Sequence, residues 1–116
     1  MGAEHGLTVR WSLAESPVDT ARRLAEYVAD TSHGRFTGMP GLRFKTWRMR
    51  PGEWFEGSYV FESPQARQEF QDRFSASAGE APGSLIVGAP PVLVEPWQVV
   101  AVAEGAAGFR AAPSYG

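Results

Sequence analysis

Three side chains of this 116-residue sequence could move a proton or hold an anion close to aromatic rings: His33, Lys45 and Tyr59. Imidazole is the side chain that ordinarily changes charge near neutral pH, and His33 is the one histidine away from the N-terminus, so it is the natural base or proton relay. Beside a helix C-terminus, its cationic form would equally serve the dipole with no chemistry at all. By alternation, Lys45 shares a strand face with Arg43 and Trp47. A cation beside a ring can stabilise an enolate or phenolate, but it can also snorkel from a sheet edge or bridge to a partner subunit. Tyr59 sits between Gly57 and Phe61. Its hydroxyl could donate to a substrate oxygen, or find a backbone acceptor while the ring fills the core. Gly57 leaves room beside it. Trp11, Phe44, Trp47, Phe61 and Trp97 are the candidate walls of an aromatic, substrate-binding pocket. Glu95, inside the apolar run Val92 to Trp97, becomes a second candidate base if it is buried. Arg10 and Arg48 could hold an anionic group, or lie at an interface.

These groups have to be positioned by a hairpin. Leu42 to Met49 and Trp54 to Phe61 are strand-like runs joined through Arg50-Pro51-Gly52-Glu53, and together they carry six aromatic rings and three cations. Such a surface suits an unsaturated, anionic small molecule. Before the hairpin, Leu7, Val9, Trp11 and Leu13 alternate with polar residues as a first strand. Ser16-Pro17 reads as a helix cap, and Val18, Ala21, Leu24, Ala25 and Val28 share one helical face. That helix is expected to stop between Thr31 and Gly34, leaving His33 in a loop that reaches Met39. After the hairpin, Ser63-Pro64 caps a second helix through Ala66, Phe70 and Phe74, with Glu69 and Arg73 spaced for an ion pair. Ser75 to Gly83 reads as a loop, Leu85-Ile86-Val87 as a short strand, and Val92 to Val102 as a long final strand whose Pro96 marks an edge or bulge.

The order β-α-β-β-α-β is that of an α+β, ferredoxin-like domain, expected over residues 1–103 with a flexible or partner-docking tail at 104–116. A sheet with apolar groups on both faces calls for a cover on its second face, and a homodimer is the expected one. Composition narrows the chemistry further. The chain has no cysteine, which removes thiolate catalysis and cysteine-ligated metals, and two histidines leave little from which to build a metal site. No phosphate-cradling glycine motif is present. A net charge of −2 gives no field for nucleic acid. The longest apolar run is too short and too interrupted to cross a membrane, and the first residues lack a leader's apolar core, so the expected location is cytoplasmic.

Pro40-Gly41, then Phe44, Lys45 and Trp47, then Gly57-Ser58-Tyr59-Val60-Phe61 and the Ser63-capped helix resemble the YdhR-type monooxygenase family. That family lies within the dimeric α/β-barrel group, which includes small antibiotic-biosynthesis monooxygenases. The resemblance runs from about Leu7 to Val102 and departs at residues 31–39 and 81–91, two segments expected to reshape a pocket mouth. It implies a homodimer and cofactor-independent oxygenation of a small electron-rich aromatic or polyketide-type substrate, with no metal. His33 would then act as base or relay, Lys45 as anion stabiliser and Tyr59 as hydrogen-bond donor. The same pocket would serve a cofactor-free cyclase, isomerase or dehydratase of natural-product biosynthesis, or a non-catalytic binding protein.

Overall fold

The alternation of Leu7, Val9 and Trp11 with Thr8, Arg10 and Ser12 decides the layering. The first three are buried beneath helices, while the others turn to the opposite face. The computed structural model describes residues 3–115. Its elements are β1 (Gly6–Ser12), α1 (Thr20–Tyr27), α2 (His33–Phe36), β2 (Leu42–Arg50), β3 (Trp54–Phe61), α3 (Pro64–Ala76), α4 (Pro82–Val87) and β4 (Leu93–Trp97). The strands form one antiparallel sheet in the order β2-β3-β1-β4. This α+β arrangement is consistent with a ferredoxin-like fold. No described helix is long and apolar enough to cross a membrane.

The hairpin forms as its turn residues require. Glu53 N–H donates to the Arg50 carbonyl at 2.9 Å, Pro51 supplies the first central residue, and Gly52 takes φ +79° at the second. Register then places Lys45 opposite Tyr59, Trp47 opposite Gly57 and Met49 opposite Phe55, all on the helix-covered face. Strict alternation fails at one point. An irregularity between Leu42 and Phe44 brings Leu42 opposite Phe61 and onto the core, so Leu42 and Phe44 do not share a face.

Both expected helices are present, with altered ends. Ser16 and Pro17 form a turn ahead of α1, which starts at Thr20 and leaves Val18 fully exposed. The helix does not stop at Thr31. A π-helical turn, Val28–Ser32, joins α1 to α2, so His33 is helical and the rod ends at Phe36. That extra turn brings Ser32 and Phe36 into the core. Ser63 caps α3 as expected, its hydroxyl accepting from Ala66 N–H at 3.0 Å. Glu69 accepts from Gln65 rather than pairing with Arg73.

The largest corrections lie beyond α3. Residues expected to form a loop continue α3 to Ala76 and then make a 3-10 turn at Ala78–Glu80. Leu85-Ile86-Val87 is helical, not a strand. Pro82 opens the segment, and Gly88 closes it at φ +88°, a conformation that favours glycine. β4 ends at Trp97, because its partner β1 begins at Gly6, directly opposite, and offers no ladder beyond that point. The remaining chain is irregular. It brings Phe109 to 6.0 Å from the Phe44 ring, beside β2.

Candidate functional site

Between the sheet and the helices lies a cavity of about 390 Å³, within the range of small-molecule sites. Trp11, Lys45, Trp47, Phe55, Gly57 and Tyr59 form its sheet side. Ser32, Arg35, Phe36 and Met39 close it from the π turn, α2 and the loop that follows, while Phe70, Arg73 and Phe74 close it from α3. The 3-10 turn and the start of α4 add Glu80, Pro82 and Gly83. The walls include residues from 31–39 and 81–91, the two segments expected to reshape a pocket mouth.

Lys45 is the chemical centre of this cavity. Its Nζ lies 3.5 Å from the Phe36 ring centroid, 4.4 Å from that of Tyr59 and 4.5 Å from that of Trp47. Among the described residues, none accepts a hydrogen bond from it and no carboxylate pairs with it. The residue is half-buried, with its amine among the rings. Burial, and secondarily the Arg35 guanidinium, hold its pKa well below the ordinary lysine value. The chain places an amine biased toward its neutral, lone-pair-bearing form in an aromatic cage.

Tyr59 moves the other way. Desolvation pushes its hydroxyl pKa up, Arg35 opposes this, and Tyr27 adds to it, so the phenol stays protonated. Gly57 brings the two groups together. A Cβ at Gly57 would lie 3.1 Å from both Lys45 Cε and Tyr59 Oη, so the missing side chain lets the lysine stem and the phenol pack closely on the strand. Trp47 is held upright by its indole N–H, which donates to Ser32 Oγ at 3.2 Å. Trp11 donates to the buried Ser84 Oγ at 2.9 Å, and its ring packs on Gly83.

Other candidates fall elsewhere. His33 lines an outer groove with Thr37, Arg43 and the Gly108–Ala112 segment, and its ring lies 5.8 Å from that of Trp47. Phe36, Lys45 and Trp47 belong to both spaces, so Trp47 and Phe36 form the partition between histidine and cavity. Phe61 is in the core, stacked against Tyr59, and does not line the cavity. Phe44 turns to the open face of the sheet. Trp97 does too, lying across Gly6 with its indole N–H on Thr8 Oγ1 at 2.9 Å. Glu95, opposite Thr8, is exposed rather than buried.

Arg10 and Arg48 meet on that open face, and not at the cavity. They converge from β1 and β2 on Glu56 of β3, which is 0% exposed. Arg10 donates through Nε at 2.9 Å and Nη2 at 2.7 Å, and Arg48 through Nε at 2.6 Å and Nη2. The Arg10 guanidinium also lies 4.2 Å from the Trp54 ring centroid.

One signal in the sequence pointed to Lys45 more sharply than alternation did. It is the only lysine in the chain, against ten arginines. Unlike the guanidinium of arginine, a lysine amine can give up its charge when buried. Phe36, Arg35 and Ser32 could not be assigned to the site from spacing, because the π turn that orients them has no distinctive residue pattern. No family model, curated protein or solved structure matches the chain.

Proposed function

We propose that this chain is a cofactor-independent, monooxygenase-like enzyme of the ferredoxin-like, dimeric α/β-barrel kind. It takes a small electron-rich aromatic or polyketide-type molecule into the cavity and removes a proton from it at Lys45. The observation that carries this reading is an unpaired amine, held away from its charged form, among three rings of a small-molecule-sized cavity. Deprotonation of an acidic C–H between aromatic or carbonyl groups leaves an electron-rich carbanion that can reduce oxygen. One oxygen atom is retained as a new carbonyl and the other leaves as water, the substrate supplying the electrons. Tyr59, kept protonated, donates to the developing oxyanion, and the ring walls exclude water from the intermediates.

Oxygen uptake with an anthrone-type substrate tests this directly. The rate is expected to rise with pH along a single limb, because only the neutral amine accepts a proton. The midpoint of that limb lies well below the ordinary lysine value. Tyr59 adds no falling limb in the accessible range, since its raised pKa keeps it protonated there. A rate that falls with rising pH would remove Lys45 as the base.

A second reading is favoured by the pairing of an amine of lowered pKa with a protonated phenol, both packed on Gly57. Base and acid side by side also suit a cyclase, isomerase or dehydratase, which would form product with no oxygen consumed. In either case we assign the open sheet face, with Phe44, Trp54 and Trp97, to a homodimer. Sedimentation at micromolar concentration is expected to give twice the chain mass, and the dimer is expected to dissociate when Trp54 is replaced by Glu. A monomer at all concentrations would remove that assignment.

A further inference from the structure

The cavity is graded from rings at its floor to charges at its rim. Phe36, Tyr59 and Phe70 are buried, whereas Arg35 of α2, Arg73 of α3 and Glu80 of the 3-10 turn are exposed. Among the described residues neither arginine pairs with a carboxylate, Glu80 of the same rim included. Two guanidinium forks, carried by separate helices, therefore border one aromatic cavity with their donors free for a ligand. From that arrangement we propose that the cavity selects aromatic carboxylates, the ring entering the floor and the carboxylate held at the rim by Arg35 and Arg73. This rests on the reading of the cavity as a small-molecule site, and it narrows the substrate class from electron-rich aromatics to those bearing a carboxylate.

The planar guanidinium fork matches a carboxylate with two parallel hydrogen bonds, which a point charge does not. At an exposed rim the carboxylate keeps part of its hydration, so it escapes the desolvation cost of a buried ion. The ring supplies the apolar contact below. Arg35 links the two levels, its guanidinium 5.5 Å from the Phe36 ring centroid. Its field also reaches the interior. After desolvation, Arg35 is the next influence on both Lys45 and Tyr59, opposing a cation on the amine and favouring an anion on the phenol. A cavity under that field favours carboxylate ligands over neutral ones and rejects cationic ones. Glu80 opposes it as the single carboxylate among the lining residues, against two guanidiniums.

Calorimetric titration of the full chain with 2-naphthoate and with 2-naphthamide tests this, because the two share ring and shape and differ in charge. At neutral pH and low salt the acid is expected to bind at least about tenfold more tightly than the amide, as hydrogen bonds to a charged group require. That preference should shrink as salt is added, since the rim is exposed. In the double variant Arg35→Gln, Arg73→Gln the two ligands are expected to bind about equally, the loss falling on the acid. Each single variant should lie between the double variant and wild type. Both side chains are exposed, so the variants are expected to keep the wild-type circular dichroism spectrum. An amide bound as tightly as the acid, or a double variant that keeps the preference, overturns the proposal. Equal binding of the two ligands by wild type removes the anion site and leaves the binding cavity, whereas binding of neither removes both.

Discussion

Replacing Lys45 by Met is expected to abolish turnover and to stabilise the fold at the same time. As the base, the amine contributes on the order of 10²–10⁴ in rate, so the variant should fall to background. Met fills the same cage of Phe36, Trp47 and Tyr59, and its thioether contacts aromatic rings favourably. No carboxylate is left without a partner by the change, because none pairs with Lys45. The wild-type chain, in contrast, buries an amine that would be charged in water. The expected gain is on the order of 1 kcal/mol, a rise of several degrees in Tm for a domain of this size.

The pH dependence of that gain identifies its cause. Folding lowers the Lys45 pKa, so the unfolded chain binds the extra proton between the two values. Wild-type stability therefore rises with pH across the window from the lowered folded value up to about 10.5. The advantage of Lys45→Met should be full below that window and disappear above it. Thermal melts of both proteins at several pH values check this. A variant less stable than wild type near neutrality would mean that the amine is held by favourable contacts rather than tolerated for function.

Glu56→Ala is expected to cost about 2–3 kcal/mol, far more than an exposed ion pair. The carboxylate is completely buried and takes two bonds from each of two guanidiniums, joining β1, β3 and β2 across the sheet. The cost stays below the roughly 3–5 kcal/mol of a fully enclosed pair, because Arg10 and Arg48 are 35% and 57% exposed and regain water. Denaturant midpoints for wild type, Glu56→Ala and Glu56→Gln measure it, with Gln intermediate because the amide still accepts from one side. A loss below about 0.5 kcal/mol would mean that the network behaves as an ordinary surface pair. The same lesion roughens the open face, so sedimentation of Glu56→Ala also reports on the dimer proposed there.

The hairpin shows what the chain discloses in one dimension. Alternation placed Lys45 and Trp47 on one face of β2, because side-chain period in a strand is fixed by the pleat, and the antiparallel register adds Tyr59 opposite Lys45 on that face. Alternation cannot reveal the irregularity between Leu42 and Phe44, which puts these two residues on different faces of the sheet. His33 was legible as a base but not as a resident of the outer groove. Its position depends on the π turn Val28–Ser32, which continues the helix past the point where the apolar period ends. The segment Leu85-Ile86-Val87 reads as strand on propensity alone. Pro82 and Gly88, six residues apart, close it into a short helix, and Val87 and Ser84 are buried there with Ser84 accepting from Trp11. Trp97 and Phe61 were assigned to the pocket because large rings line pockets. They also fill sheet faces, and nothing in spacing separates the two uses.

The account stands on the charge state of one amine, and a chain with a single lysine lets that be measured without assignment. Protein grown with ¹³C-labelled lysine gives one side-chain ε-carbon signal, whose shift follows protonation of Lys45 directly. The expected titration midpoint lies well below 10.5 in the folded chain and returns to the ordinary value when the chain is unfolded. A folded-state midpoint at or above 10.5 would contradict the lowered pKa, and with it the base assigned to Lys45.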